Sequence, residues 1–183
     1  MRKVIAAINM TLDGFCDHTA VDPDEKIHDH YSELLRNAGT ILYGRITYRL
    51  MEYWQPMVTT PTGVRSMDEF AVTIDHIPKI VFSRTMDPPG WDTASLAKGS
   101  LEEEVQALRQ QEGQDILVGS RSLILQLLKL RLIDEFQLCV HPVIVGKGLP
   151  LFENIPDKLS FKLLKTKLFD SGAIVLYYEP TGS

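Results

Sequence analysis

The sequence predicts an α/β fold: a mostly parallel central sheet flanked by helices and finished by antiparallel strands at its carboxyl-terminal end. Two observations carry this. Apolar runs of strand length, Val4 to Ile8, Thr40 to Tyr43, Lys79 to Phe82 and Ile116 to Val118, alternate with segments of helical period. That is the pattern of βαβ units, in which helices cover a buried parallel sheet. After Leu130 the helical period stops, and Glu135 to Val145, Ser160 to Phe169 and Ala173 to Tyr178 read as strands, with Asp170-Ser171-Gly172 as a hairpin turn.

Taken in order, the first run follows Met1-Arg2-Lys3 and is interrupted by Asn9, Thr11 and Asp13 too soon for a secretion signal, so it reads as the first strand. The helical candidates are Lys26 to Asn37, Ile46 to Trp54, Met67 to Asp75, Leu101 to Gln111 and Arg121 to Leu130. The fourth has readable ends: Ser100 precedes it, Glu102, Glu103 and Glu104 fill the first turn, and Gly113 follows the last. Met10 to Glu25, Gln55 to Ser66 and Asp87 to Gly90 read as irregular, and loops of that length are often functional.

The chain has 183 residues, 44% hydrophobic and 23% charged, which suits one compact domain over residues 1–183. A formal charge of −5, with no block of either sign, offers no general field for nucleic acid or anionic lipid, so any phosphate recognition must be local. No apolar run approaches the roughly 20 residues of a membrane helix. Cys16 and Cys139 form no CxxC pair, so neither a zinc ribbon nor a disulfide framework is suggested, and a cytoplasmic protein with reduced thiols is expected.

Three strands each end in a short polar segment bearing an arginine: Gly44-Arg45-Ile46-Thr47, Ser83-Arg84-Thr85 and Gly119-Ser120-Arg121-Ser122. In a parallel sheet these ends share one edge. Helix N-termini there offer free N–H groups to anions, glycine lets a phosphate approach the backbone, and the guanidinium fork suits phosphate oxygens. Any one segment alone reads as a turn with a solvated arginine; the three together predict a phosphate-bearing ligand. No GxGxxG follows the first strand, and Gly146-Lys147-Gly148 lacks P-loop spacing.

Leu42-Tyr43-Gly44-Arg45-Ile46-Thr47-Tyr48, Ile116-Leu117-Val118-Gly119-Ser120, Leu132-Ile133-Asp134-Glu135-Phe136 and Pro142 to Phe152 together resemble the motif series of the dihydrofolate-reductase-like family. The closer likeness is to the branch that resembles the C-terminal reductase domain of the bacterial riboflavin biosynthesis protein RibD. The match runs from Asn9-Met10-Thr11-Leu12-Asp13-Gly14 to the closing strand. The resemblance implies a three-layer dihydrofolate-reductase-like fold, NADPH as cofactor and a homodimer. It places Gly44, Arg45 and Thr47 at the cofactor phosphates, Ser83, Arg84 and Thr85 near the 2′-phosphate, and Gly119, Ser120 and Arg121 under the pyrophosphate or nicotinamide. A second glycine is usual where this chain has Ser120.

The implied chemistry is hydride transfer to a small heterocycle, of pterin or ribosylaminopyrimidine type, related to riboflavin or folate. A zinc-deaminase signature is absent, so the chain corresponds to a reductase half. Asp29, near the start of the first helix, and Asp13, on the loop after the first strand, are the two proton-donor candidates. Asp29 reads equally as an exposed first-turn acid, and Asp13 as a residue that shapes the turn before Gly14. Asn9 and Trp54 are the substrate-facing candidates, with the Met10 to Glu25 and Gln55 to Ser66 loops at the entrance. No metal is expected, because His28 and His30, two apart on a helix, point to different sides. The strand region Glu135 to Val145 is expected at a sheet edge, where a second subunit could pair. The alternative function is a non-catalytic nucleotide-binding sensor or accessory subunit.

Overall fold

Apolar strands and amphipathic helices assemble into an eight-stranded sheet in the computed structural model, which describes residues 1–181. The strands are β1 (Val4–Thr11), β2 (Ala38–Gly44), β3 (Lys79–Phe82), β4 (Ala94–Leu96), β5 (Asp115–Val118), β6 (Glu135–His141), β7 (Ser160–Leu168) and β8 (Ile174–Thr181). The helices are α1 (Glu25–Arg36), α2 (Arg45–Met51), α3 (Gln55–Thr59), α4 (Arg65–His76), α5 (Leu101–Gln110) and α6 (Arg121–Lys129). Strand order is β4-β3-β2-β5-β1-β6-β8-β7, parallel through β6 and antiparallel at β8 and β7. Among the described residues no helix is long and apolar enough to cross a membrane.

Side chains alternate across a strand, so each face of the sheet has its own core. Val4, Ala6 and Ile8 of β1 pack with Leu42, Val118, Val105, Ile124 and Leu127 on the side of α5 and α6. Ile5 and Ala7 face the other way, with Tyr43, Leu35, Phe70 and Ile74 on the side of α1 and α4. Asn9 continues this second row.

Local chemistry sets the element ends. Asp24 caps α1 by accepting from the Ile27 amide at 2.9 Å, and Ser100 and Glu103 close a reciprocal capping box on α5. Gly172, with φ 84°, turns β7 into β8.

Three expectations need correction. The strand region Glu135 to Val145 stops at His141, because Pro142 has no N–H to continue the ladder. It is also no edge: β6 lies between β1 and β8, and the open edges are β4 and β7. The Gln55 to Ser66 segment is partly helical, since Pro56 suits the first turn of α3, and only residues 60–64 remain irregular. The three-residue β4 gave no apolar run of strand length and was missed.

Lys79, at the head of β3, is 1% exposed. Its ammonium donates to the Asp75 and Ile77 carbonyls at 3.2 and 2.9 Å, to Thr93 Oγ1 at 2.7 Å, and sits 4.1 Å from the Trp91 ring centre. The Trp91 indole N–H donates to the Asp75 carboxylate at 2.5 Å. A cation here answers the orphan carbonyls at the end of α4 and fastens the crossover to β4 beneath them. Burial pulls the Lys79 pKa down to about 8.

Lys79→Ala should lower the unfolding free energy by roughly 2–4 kcal/mol, measured by denaturant titration, because it leaves buried carbonyls unpaired beside a cavity. The folded pKa lies below the unfolded one, so the folded state holds fewer protons between about pH 8 and 10.5. The stability difference between wild type and variant should therefore widen as pH rises through that window and stay flat below it.

Candidate active site

The parallel register sets the carboxyl ends of β3, β2 and β5 side by side, with Gly44 beside Phe82 and Leu42 beside Val118. What leaves each strand therefore meets at one rim. The Gly44 amide donates to Ser120 Oγ at 2.8 Å, tying the ends of β2 and β5 together. A Cβ at Gly44 would stand 3.1 Å from Ser122 Oγ, so a larger residue would fit only if that serine side chain shifted. Asp24 and Ser100 cap α1 and α5, whereas α2 and α6, which open on the rim, have no side-chain cap. Their first N–H groups are open to an anion.

Arg45 Nη1 donates to Thr85 Oγ1 at 2.6 Å and bridges the segments after β2 and β3. Ser83 Oγ accepts from the Thr85 and Met86 amides and shapes that turn. Arg84 is exposed and has no protein partner among the described residues. Thr47 is half-buried on the first turn of α2, and Gly119 lies against Ala7 of β1. Gly44, Arg45, Thr47, Ser83, Arg84, Thr85 and Gly119 thus share the rim.

Two of the cofactor candidates do not extend a side chain to it. Ser120 is 1% exposed and its hydroxyl is engaged by Gly44, so it offers a ligand its backbone alone. Arg121 Nε donates to the Pro150 carbonyl at 2.6 Å, and Nη2 pairs with Glu153 at 2.7 Å, which turns the guanidinium toward residues 150–153. The physical reason is that the first helical turn swings it past the strand end.

On the face of α1, Asn9 Oδ1 accepts from the Tyr31 hydroxyl at 2.9 Å and lies 3.0 Å from His141 Nε2. Cys139 Sγ is 3.6 Å from the same ring nitrogen. Burial lowers the His141 pKa, raises Cys139 to about 12 and raises Tyr31 well above its usual value. All three are neutral at pH 7. Trp54 stands edge-on to His28 and Phe70, with ring centres 5.7 and 4.6 Å away, and forms an aromatic wall where α1 meets α4. His30 instead packs against Phe169 and Tyr177, so His28 and His30 do face different sides. Tyr31 and His141 were not singled out from sequence as site residues. The period of two along β6, which sets Cys139 and His141 on one face, was the signal available for the second.

Neither aspartate proposed as a proton donor is free for that task. Asp13 accepts from the Thr11 hydroxyl at 2.6 Å, from the Gly146 amide at 2.7 Å and from the Val145 amide, and these bonds, the first above all, hold its pKa down. It pins residues 145 and 146 to the loop after β1. Asp17 does the same for the Leu149 amide, with Gly148 pressed against it at φ 150°. Asp29 accepts from Arg65 on α4 at 2.8 Å, which lowers its pKa likewise. Both carboxyls are therefore ionised at neutral pH. Two surface cavities, of about 450 and 310 Å³, open at the opposite edge around Phe161 and Arg109 and gather none of these residues.

Residues 2–175 match the model of the RibD C-terminal domain. The chain belongs to that family. This RibD C-terminal domain is 32% identical to the uncharacterized protein YyaP of Bacillus subtilis (strain 168), over 99% of this chain and 96% of YyaP. Its fold is that of a candidate riboflavin biosynthesis protein from Shewanella sp. PV-4, with TM-score 0.73 and 21% identity over the full length of both chains. A pyrimidine reductase-like protein from Corynebacterium diphtheriae superposes with TM-score 0.68 at 16% identity, over 100% of this chain and 93% of that one. The fold is the three-layer dihydrofolate-reductase-like one, as the motif series implied.

In this RibD C-terminal domain the serine at position 120 has a structural task. With φ −99° it needs no glycine, and Ser120→Ala leaves the Gly44 amide unpaired in a buried setting. That variant should lose about 1–2 kcal/mol of stability. Hydrogen exchange at the Gly44 amide should accelerate with it, while unchanged exchange there would remove Ser120 from this role.

Proposed function

We propose that this domain is an NADPH-dependent reductase that passes a hydride to a small heterocycle of pyrimidine or pterin type, related to riboflavin or folate. One observation carries the reading: uncapped helix starts, the Gly44 approach and the side chains of Arg45, Arg84, Ser83 and Thr85 all sit on one rim, with the Trp54–His28 ring pair and the Asn9–Tyr31 hydrogen bond on the α1 side of the sheet. Family membership supports a reductase. The residues present fit the cofactor. Uncapped amides of α2 and α6 suit its pyrophosphate, and Arg84 with Ser83 and Thr85 suits the 2′-phosphate. When bound, NADPH would supply the hydride; the protein's own part is to align the two reactants and exclude water between them.

Asn9, Tyr31, His28 and Trp54 line the space where the heterocycle would lie. With Asp13 and Asp29 both ionised and engaged, the proton reaches the product from another donor, such as solvent. That same engagement favours the second reading, a nucleotide-binding sensor or accessory subunit without turnover. NADPH oxidation with a panel of pterins and aminopyrimidines separates the two, since tight binding without oxidation across the panel supports the sensor.

The unpaired thiols Cys16 and Cys139 agree with a cytoplasmic setting. For the homodimer we propose the nine-residue edge β7, where Leu163, Leu164 and Leu168 are exposed, since an uncovered edge strand invites pairing. Sedimentation equilibrium showing a monomer at micromolar concentration would remove the dimer.

Fluorescence titration with NADPH should saturate, and Arg84→Ala should weaken NADPH by about tenfold or more through the lost charge-assisted bond, while leaving NADH nearly unchanged. Equal binding of the two cofactors by the wild type would refute the 2′-phosphate assignment.

A further inference from the structure

At the foot of the sheet, opposite the rim, the chain entering β1 meets the end of α5 and the turn before β5. Arg2 and Arg109 line one cavity of about 310 Å³ there, together with Gln111, Glu112 and Gly113. We propose that this cavity is a second ligand site, which takes a phosphate group, free or as the head of a small monoester, between the two guanidinium groups.

Donors outnumber acceptors at this corner. Arg2 is 6% exposed and has no ion pair within hydrogen-bonding reach among the described residues. Its Nε donates to the Gln114 carbonyl at 2.5 Å and its Nη2 to Thr40 Oγ1 at 2.9 Å. Arg109 Nη2 donates to the Leu132 carbonyl at 3.0 Å and to Asp134 at 2.6 Å, while its Nε is buried without a partner. Neither Nη1 makes a hydrogen bond among the described residues, and neither is among the buried unpaired atoms. Both therefore present N–H donors outward from residues that line the cavity.

Burial lowers the Arg2 pKa, and the charge of Asp115, which accepts from the Lys3 amide at 2.8 Å, opposes that shift. A buried cation so weakly compensated is costly, and an entering anion reduces the cost. The planar fork of a guanidinium matches phosphate oxygens, and a tetrahedral dianion has oxygens for two forks at once. The Arg2 amide donates to the Arg109 carbonyl at 3.3 Å, which brings the two residues to the same corner. Gly113, at φ 137°, adds no side chain over Arg2 Nε. Glu112 is the only acid among the lining residues; it is exposed and pairs with neither arginine.

Arg2 joins Thr40, near the start of β2, to the entry of β5, and Asp134, the partner of Arg109, accepts from the Val4 amide of β1. A phosphate held by both guanidinium groups fastens the starts of the strands whose far ends build the rim. It stabilises the folded domain by mass action, with a rise in melting temperature of about 3–6 °C at ten times its dissociation constant.

Arginine side-chain NMR signals would be followed during titration with sodium phosphate, with glycerol 3-phosphate and, at matched ionic strength, with sodium chloride. The Arg2 and Arg109 Nε–H resonances should shift saturably with the phosphates and not with chloride, and phosphate bound at the rim does not move them. Tighter binding of glycerol 3-phosphate identifies a monoester as the ligand; equal binding identifies the free ion. Glu112→Gln removes the opposing carboxylate and should tighten phosphate several-fold, whereas Gln111→Glu adds one and should weaken it several-fold; both positions are exposed, so the fold is kept. Arg109→Lys retains a charge for Asp134 but loses the fork, and should weaken phosphate about tenfold. No saturable shift at Arg2 or Arg109, an equal response to chloride, or an affinity that Glu112→Gln and Gln111→Glu leave alone overturns the proposal.

Discussion

The hydrogen bond from the Gly44 amide to the Ser120 hydroxyl joins two βα units that are 76 residues apart in the chain. β5 is inserted between β2 and β1, although both of those precede it in sequence, and its end must be brought into line with theirs. One buried bond does that at the end of the ladder. The rim exists because β2 and β5 finish level: a slip of one residue would turn Leu42 and Val118 to the wrong core. It would also carry the starts of α2 and α6 apart.

The fold was legible where physics is local and repetitive. Apolar runs and helical patterns located β2, β3, β5 and the long helices to within a residue or two and β1 to within three, and the capping box at Ser100 and Glu103 was visible in the letters alone. What was not legible depended on neighbours. The strand run Glu135 to Val145 carried no sign of having partners on both sides, and three residues at β4 gave no period to read. At the site, residue type did not show which charges the fold had already engaged. Arg45, Arg84 and Arg121 look alike in sequence, but Pro150 and Glu153 claim the third. The carboxyls of Asp13 and Asp29 were claimed in the same way by Gly146 and Arg65, contacts made across 133 and 36 residues.

On the proposed reading, the work is divided between the two sides of β1. Toward β5 and β2 the protein offers cations and unspent backbone amides; toward β6 and α1 it offers a neutral amide and aromatic faces. Such a division suits a reaction that must hold a polyanion and a flat neutral ring in contact, because each component is excluded from the other's half by desolvation cost. Lys79 belongs to neither half. Its charge is spent within the scaffold, on the end of α4 and the crossover that follows β3.

The loop after β1 is interlocked with residues 143–151. Leu12 to Val143, Cys16 to Leu149 and Gly14 to Leu151 are joined by backbone bonds of 2.8–2.9 Å, with Asp13 and Asp17 adding the Gly146 and Leu149 amides. To swing that wall aside, all of these must be given up together, at about 1 kcal/mol each. On the far side, residues 59–65 are exposed, with Thr62 and Gly63 held by Asp68 and Arg65 tied to Asp29 of α1. The wall behind β1 therefore costs more to displace than the exposed 60–64 segment, which has fewer bonds to give up.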